Sequence, residues 1–537
     1  MTVGERFTLI WAHPRGIMDR SERDEGDKIL RDLQIDRAFR IICPESMYRE
    51  DFLAVLRRPL TDPDEIRERQ RVLKTFHANP AFLDRLIEAE RKLLLTKNMW
   101  DSERSRLMAS RRVNPQDKNL MLWVARENLV LTAHFLRIFL TCTEDIAECL
   151  RSFGAAEGWL LRLRENVERI ARTSDADRLL AFADKAEKGL AQAHSYDVEL
   201  DVSEELRTGA PFMSDFDYVP LAKKPDKPTG AAGIFAFLTR DRKGKGQESR
   251  GVSAPVIGDG MPERHVPVWD TDLEWGQDLS ARAVQECDRL LTSFLRTLVD
   301  RFSGLEEELY FCRCAMYYID RFEDRGVRWV WPELSPAEEN ALRCKNLQDL
   351  LLLTESMYVQ SVIPNDVTFG RGAGEGGLSG MLVTGKNNSG KTVYLRSIGT
   401  AVLLAQCGLP VSAEEARISV RRRIFTTFAK AEGELVPLSS AGRFEEEVAE
   451  IAGIIRAMEP NSLLLLNETF QTTAYDEGAD GMVPILTYLA GLGCGFIFVT
   501  HLTRLVDRYR AMDRAESGVT VMRTSDDPRT RYKIGEI

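Results

Sequence analysis

Residues 385–392 read Gly-Lys-Asn-Asn-Ser-Gly-Lys-Thr, a complete GxxxxGK[ST] phosphate-binding loop. A short apolar run at residues 381–383 precedes the loop, and apolar residues recur at helical spacing from Val393 onward. This strand–loop–helix context is the one that the motif requires. Backbone N–H groups of such a loop, together with the positive end of the helix dipole, bind phosphate oxygens. The segment therefore predicts a nucleotide site; a glycine turn without a ligand is the alternative.

Two side chains of the loop have predicted roles in binding ATP and Mg²⁺. Lys391 is expected to reach the β- and γ-phosphates, and the Thr392 hydroxyl is expected to bind Mg²⁺. The other loop residues that we expect to contact the nucleotide are Gly385, Asn387, Asn388, Ser389 and Gly390. The predicted cofactors are therefore ATP and Mg²⁺.

Two further apolar runs end in polar residues that suit ATP hydrolysis. Residues 462–466 lead into Asn467 and Glu468, and residues 495–499 lead into a Thr-His pair that ends at His501. In nucleotide hydrolases a strand ending in an acidic pair brings one carboxylate to Mg²⁺ and another to the attacking water. Glu468 is expected to polarise that water, whereas Asn467 can meet Mg²⁺ only through a water and without negative charge. His501 is expected to sense the γ-phosphate, with a strand-end cap as its alternative. The pattern predicts an ATPase whose rate Asn467 weakens.

Composition excludes several classes of protein. The net charge of −10 argues against a generally basic coat, so DNA contact would need a local patch of Lys and Arg. Nine cysteines without a CxxC pair favour reduced thiols over disulfides or a zinc site. No apolar stretch is long enough to span a bilayer. We therefore expect a cytoplasmic protein with no membrane partner.

Periodicity divides the chain into two kinds of structure. Helical spacing dominates residues 26 to about 210, including an amphipathic stretch at 178–193, and returns over residues 272–324. From about residue 334 strands and helices alternate, which is typical of an α/β domain with a mainly parallel sheet. The predicted fold class is multidomain: an all-α part followed by an α/β P-loop ATPase domain.

Residues 211–270 form an insertion of different composition, rich in Pro, Gly, Lys and Asp and without periodicity. Only its apolar patch at residues 234–238 indicates a strand. The composition predicts a flexible or weakly structured segment. Its cationic residues are Lys223, Lys224, Lys227, Arg240, Arg242, Lys243 and Lys245. They either grip DNA phosphates or form a solvated linker.

A longer series of short segments surrounds the loop. They are IPNDV at 363–367, TGKNNSGKT at 384–392, YLR at 394–396, AQCGLPV at 405–411, SAGRF at 440–444, NE at 467–468 and VTH at 499–501. In this order they resemble the MutS family of DNA mismatch repair and recombination ATPases. The family's loop is similar to TGPNMGGKS, with its characteristic Asn at the position of Asn387.

The resemblance implies roles that the residues alone do not reveal. Asn365 lies in the segment that helps to position the nucleotide, and Val362 stands where the family has an aromatic ring that stacks on adenine. Ser440 belongs to the signature through which one subunit reads its partner's nucleotide. The resemblance thus implies a homodimer whose ATPase domains pair head to tail and form composite ATP sites.

The resemblance also reaches into the helical half, at residues 58–72 and 305–334. It implies a short N-terminal segment (1–25), a helical MutS-like core/lever domain (26–333) with the insertion at about 211–270, and an ABC/MutS-like P-loop ATPase domain (334–537). The insertion lies where the family's lever helices carry a DNA clamp. With about 25 residues before the lever, we expect no mismatch-recognition domain.

The leading functional prediction is a DNA-binding ATPase that closes its helical arms on DNA when ATP binds. Branched or recombination DNA is the expected ligand, rather than mismatches. The alternative is a nucleotide-gated protein-interaction scaffold with weak or no hydrolysis and no direct role on DNA. A nuclease is a third alternative, but the sequence offers it no metal-ligand cluster beyond the ATP site.

Overall fold

The computed structural model describes residues 6–109, 118–153, 157–171, 193–202, 208–218, 288–289, 291–370, 377–428, 443–470, 475–512 and 517–536. The chain forms two compact units. The first comprises Met1–Leu93, Cys142–Ala171 and Asp300–Ile537, and the second comprises Leu94–Thr141 and Arg172–Val299. Within the described ranges, we find no helix with the length and apolar character that crossing a membrane requires.

The N-terminal part is α-helical, as the periodicity predicts. Its helices are α1 (Arg20–Asp32), α2 (Ile35–Ile42), α3 (Ser46–Leu56), α4 (Pro63–Ala78), α5 (Pro80–Ala109), α6 (Lys118–Ser152), α7 (Gly158–Ala171), α8 (residues 291–302) and α9 (Leu305–Asp324).

Helix α4 illustrates how the sequence specifies these elements. The Asp62 side chain caps its first turn, and Pro63 occupies the first helical position, where no backbone N–H is needed. Ile66, Leu73 and Phe76 recur at helical spacing and are fully buried. Burial of this apolar face therefore stabilises the helix.

The N-terminal segment belongs to this helical core, although the sequence places it outside the helical domain. Glu308 on α9 accepts hydrogen bonds from the backbone N–H groups of Leu9 (2.5 Å) and Ile10 (2.9 Å). Arg162 on α7 donates to the carbonyl of Trp11 at 2.6 Å. The buried Glu308 and the partly buried Arg162 thus satisfy backbone groups of the N-terminal segment that have no strand partner. Burial raises the pKa of Glu308 to about 7.

The helical pattern ends earlier than predicted. Strand β1 (Ala193–Val202) pairs antiparallel with strand β2 (Thr208–Tyr218), where we expected helix to about residue 210. Residues 196–202 alternate between apolar and acidic types, a period-two pattern that specifies a strand. The insertion beyond residue 218, including the predicted strand at 234–238, lies outside the described residues.

Glu90 on α5 is a carboxyl group buried inside the helical bundle, with a predictable effect on stability. It is 1% exposed, and its Oε1 has no hydrogen-bond partner among the described residues. Burial, reinforced by nearby Glu306, raises its pKa from 4.5 to about 8. The contribution of the neutral Glu90 carboxyl group to the stability of the fold is therefore fully present below pH 4.5. It is lost as the pH rises through about 8.

Replacing Glu90 with glutamine is expected to raise the free energy of unfolding by roughly 2–4 kcal/mol at alkaline pH, with a gain that shrinks toward pH 5. Glutamine keeps the shape but never ionises. Urea unfolding at both pH values measures the effect, and Glu88→Gln, an exposed position on the same helix, is the control. Parallel pH profiles for wild type and Glu90→Gln would contradict the expectation.

The C-terminal part is α/β. Its strands are β3 (Glu333–Ser335), β4 (Leu342–Leu347), β5 (Asn365–Phe369), β6 (Gly380–Thr384), β7 (Glu415–Ser419), β8 (Ile424–Phe428), β9 (Leu463–Asn467), β10 (Gly495–Val499), β11 (Val519–Thr524) and β12 (Ile534–Glu536). Its helices are α10 (Leu350–Glu355), α11 (Lys391–Gln406), α12 (Arg443–Ala457), α13 (Tyr475–Gly491) and α14 (Thr503–Ala511).

Two sheets organise this part. A six-stranded sheet has the order β12-β11-β6-β10-β9-β8, and its pairs are parallel except β11–β12. A four-stranded sheet has the order β3-β7-β4-β5 and is mainly antiparallel, which the sequence pattern does not predict. Because β6, β9 and β10 run parallel, their carboxyl ends open onto one edge, where open α/β sheets bind ligands.

Arg69 on α4 ties the helical part to the far end of α11. It is fully buried, and its guanidinium lies 4.1 Å from the centre of the Trp11 ring. It donates to the carbonyls of Ile10 (3.0 Å) and Cys407 (3.4 Å), the latter at the C-cap of α11. The helix that follows the phosphate-binding loop is therefore packed directly against the helical part of the first unit.

A buried ion pair joins the helices of the second unit. Arg104 on α5 makes two 3.0 Å hydrogen bonds to the Asp288 carboxylate. Arg104 also donates to Thr132 on α6 at 3.1 Å, and Thr292 on α8 donates to Asp288 at 3.3 Å. One polar network thus connects the consecutive helices α5 and α6 with α8, which is far from them in sequence.

The described cysteines, which are all except Cys287, are buried thiols outside any disulfide. Cys312 and Cys314 lie on α9, and the Cys43 thiol donates to the Glu45 carbonyl at 3.6 Å. Across the described ranges no group of three or more His, Cys, Asp or Glu side chains is arranged to hold a metal ion.

Candidate nucleotide site

The loop between β6 and α11 has the backbone of a phosphate cradle. Gly385 (φ +143°), Asn388 (φ +58°) and Gly390 (φ +93°) have positive φ angles. A Cβ atom on Gly385 would lie 1.9 Å from Thr524 Oγ1, so only glycine fits there. Gly390 is the N-cap of α11, which places the loop at the positive end of the helix dipole.

Lys391 lies across the loop. Its ammonium group donates to the carbonyls of Gly385 (3.0 Å) and Lys386 (2.8 Å). Burial lowers the pKa of Lys391, and the nearby Glu468 carboxylate opposes that effect. The positive charge of Lys391 therefore lies at the carboxyl edge of the sheet, beside the ends of β6 and β9.

Thr392 and Asn467 meet as the sequence predicts for a Mg²⁺ site. The Thr392 hydroxyl donates to Asn467 Oδ1 at 3.0 Å. Both groups offer neutral oxygens, and Mg²⁺ in nucleotide sites uses few protein oxygens together with waters and phosphates. The pair fits such an ion, although a carboxylate at position 467 would hold it more strongly.

Glu468 and His501 meet at the ends of β9 and β10. His501 Nε2 lies 3.3 Å from Glu468 Oε1, but outside hydrogen-bond geometry. Glu468 has φ +58°, an uncommon backbone for a non-glycine residue, and its N–H donates to the Val499 carbonyl at 2.9 Å. This backbone bond to β10 holds the carboxylate beside the imidazole in a strained conformation, which is typical of functional sites.

These groups line one open cavity of about 1140 Å³. The predicted site residues on its wall are Asn365, Asn387, Asn388, Ser389, Gly390, Lys391, Thr392, Glu468 and His501. Gly385 and Asn467 contribute through their bonds to Lys391 and Thr392. Ligand pockets usually measure about 300–1,000 Å³, so the cavity is large enough for a nucleotide.

Tyr532 is a wall residue that the sequence analysis missed. It lies opposite the loop, and a Cβ atom on Gly390 would lie 3.3 Å from its ring. Tyr532 has φ +70°, and Asn365 donates to its carbonyl at 3.1 Å. Asn365 also accepts from the Ile534 N–H at 2.9 Å, so its amide holds the chain on both sides of Lys533, directly after the ring. A lone tyrosine near a polar turn gives no sequence signal.

The remaining predicted residues cannot be placed in this site. Ser440 and the cationic residues of the insertion, from Lys223 to Lys245, lie outside the described residues. Of the segment after Ser440, Glu447 on α12 accepts a 2.8 Å hydrogen bond from the Phe470 N–H, just after β9.

A comparison with protein families identifies this part of the chain. A family model described as MutS domain V matches residues 381–536, from β6 to β12. Residues 381–536 are therefore similar to MutS domain V. The match contains the phosphate loop, Asn467, Glu468, His501 and Tyr532, whereas Asn365 and the helical part precede it.

Part of the chain is also similar to curated MutS relatives. The chain is 34% identical over 199 residues to the DNA mismatch repair protein MutS of Prochlorococcus marinus, covering 36% of this chain and 20% of that protein. It is 32% identical over 182 residues to the DNA mismatch repair protein MSH2 of Saccharomyces cerevisiae, covering 34% and 18%. It is 29% identical over 230 residues to Endonuclease MutS2 of Shouchella clausii, covering 43% and 26%. The chain thus spans about a fifth to a quarter of the length of these relatives.

Proposed function

We propose that this chain is a MutS-like ATPase that binds DNA and couples its ATP site to movement of its helical part. The observation that carries the proposal is one cavity at the carboxyl edge of a parallel sheet. It brings together the phosphate loop, the Thr392–Asn467 pair and the Glu468–His501 pair. ATP and Mg²⁺ are the proposed ligands.

The residues divide the chemistry among them. Lys391 and the loop N–H groups hold the phosphates, while Thr392, with Asn467 through a water, would hold Mg²⁺ and so neutralise developing phosphate charge. Glu468 orients and polarises the attacking water. His501, close to that carboxylate, contacts the γ-phosphate side of the nucleotide. Asn365 positions the chain that carries Tyr532.

Tyr532 is the proposed stacking surface for the nucleotide base, because Val362 offers no ring on the same wall. Tyr532→Ala is expected to weaken nucleotide binding by about 5- to 150-fold, which corresponds to roughly 1–3 kcal/mol for one base–aromatic stack. Tyr532→Phe keeps the ring and should bind like wild type. Titration with a fluorescent ATP analogue measures both variants, and equal affinities for alanine and phenylalanine would rule the stack out.

We further propose that two copies pair head to tail, so that Ser440 of one copy completes the cavity of the other. The cavity is open, so a residue of a second copy can reach it. The proposed domains are a core/lever domain at 26–333 and an ATPase domain at 334–537. ATP binding would shift the helical arms toward a state closed on DNA, because the nucleotide binds the two states with different affinity.

Steady-state ATP turnover with and without DNA tests the function. At low salt we expect branched DNA to stimulate turnover more than matched or mismatched duplexes, and Lys391→Ala to abolish the stimulated rate. Replacing the insertion's cations, Lys223 to Lys245, with glutamine should weaken DNA binding and reduce its salt dependence. Unchanged DNA affinity would exclude the insertion as a clamp.

A nucleotide-gated protein scaffold is the second candidate. Asn467 in place of a carboxylate favours it, because the amide brings no charge to Mg²⁺ and slows hydrolysis. The net charge of −10 points the same way. Turnover that stays low and does not respond to any DNA would select this function over the first.

A further inference from the structure

The turn between β11 and β12, residues 525–533, rests on the phosphate loop. Thr524, where the turn begins, packs against Gly385, and the Tyr532 ring packs against Gly390 near its end. Between these contacts Asp526 Oδ1 lies 2.9 Å from the ammonium group of Lys386. The turn therefore contacts the loop at both of its ends, and the Lys386–Asp526 ion pair lies between these two contacts.

The turn is well ordered by its own hydrogen bonds. The Ser525 N–H donates to the Lys533 carbonyl at 2.8 Å, and Asp527 caps the short helical turn that follows it. Lys533 donates to the Pro364 carbonyl, and Asn365 holds the chain around Tyr532. Because these hydrogen bonds hold the turn in one shape, a contact that fixes Asp526 also helps to fix Tyr532.

Tyr532 needs such support. Its φ of +70° is sparsely populated by non-glycine residues and persists only where the surroundings hold it. Contacts on the Asn365 side fix one edge of the turn. Lys386 supplies the opposing contact, from the loop that binds phosphate.

We propose that Lys386 and Asp526 form a latch that holds this turn on the phosphate loop and thereby keeps Tyr532 in the nucleotide cavity. The latch rests on the proposed nucleotide site and sets how fast the nucleotide leaves. Lys386 is a positioning residue in this role, since its ammonium group is directed at Asp526. Arg523, also 2.9 Å from Asp526, supports the acidic partner.

The pair is well placed to open and close. The Lys386 and Asp526 side chains are 75% and 47% exposed, so water and salt compete with the pair. Lys386 holds the pKa of Asp526 below its usual value, which keeps the latch charged at neutral pH. Its strength therefore falls with ionic strength rather than with pH in the neutral range.

Dissociation of a fluorescent ATP analogue, followed by stopped flow, tests the latch. Lys386→Met and Asp526→Asn should each speed dissociation by roughly two- to five-fold, the range for an exposed ion pair. High salt should bring wild type toward both variants. Exchanging the charges, with Lys386→Asp and Asp526→Lys together, should restore part of the slow dissociation; Arg523 limits the recovery. Lys345→Met, which removes a lysine paired outside the cavity, is the matched control.

The outcomes separate the latch from other roles of Lys386. If Lys386→Met speeds dissociation while Asp526→Asn does not, Lys386 binds phosphate directly and the latch is wrong. If wild type binds no nucleotide, the proposed function fails instead. The latch is then judged by amide hydrogen exchange at Ser525 and Ile534, which should accelerate in both single variants and not in Lys345→Met; unchanged exchange would overturn it.

Discussion

Replacing Glu468 with glutamine is expected to leave nucleotide binding intact and to lower ATP turnover by roughly 10²- to 10⁴-fold, the range for a positioned general base. Glutamine keeps the length and the oxygen of the side chain, but it cannot accept a proton from the attacking water. The comparison is made by equilibrium titration of the nucleotide and by single-turnover hydrolysis. Both are needed, because a loss of binding would also lower turnover.

The control for this substitution is Glu459→Gln, which removes a carboxylate near the start of β9 that pairs with Arg422 outside the cavity. It should hydrolyse ATP at the wild-type rate. Unaltered turnover in Glu468→Gln would remove Glu468 from the mechanism. If turnover falls only slightly, His501 becomes the better candidate for the base, since its Nε2 lies 3.3 Å from the same carboxylate.

Much of this site could be predicted because it is made from strand ends. The carboxyl ends of buried parallel strands meet at one edge of the sheet. The loop after β6, Asn467 at the end of β9 and His501 after β10 can therefore be expected to converge without any knowledge of the tertiary contacts. Periodicity alone identifies those strands. Their order in the sheet does not alter the conclusion.

Tyr532 and Asn365 could not be predicted in the same way. Their meeting depends on how β12 turns back antiparallel on β11 and how β5, from the other sheet, approaches that turn. Short-range patterns contain no information about this register. The burial of Glu308 and Arg69 could not be predicted for a related reason. Charged residues are expected to face solvent, whereas these two form hydrogen bonds with the backbone of the N-terminal segment.

Separating the buried Arg104–Asp288 pair is expected to destabilise the second unit by roughly 3–5 kcal/mol. Asp288→Asn leaves the Arg104 guanidinium buried without its counter-charge, so the penalty is the desolvation of an unpaired ion rather than the lost attraction alone. Urea unfolding combined with hydrogen exchange in α5 and α6 measures it. Exchange should accelerate there first, because Arg104 and Thr132 connect those helices.

The double variant Arg104→Met with Asp288→Leu distinguishes this cause from loss of packing. Removing both charges leaves no unpaired ion, so its stability should return close to that of wild type. Arg106→Gln, which breaks an exposed pair with Glu103 on the same helix, should change stability by less than about 1 kcal/mol. If the double variant is as unstable as Asp288→Asn, the network stabilises the unit through its shape and its bonds to Thr132 and Thr292, and the helices around it depend on those hydrogen bonds more than on charge.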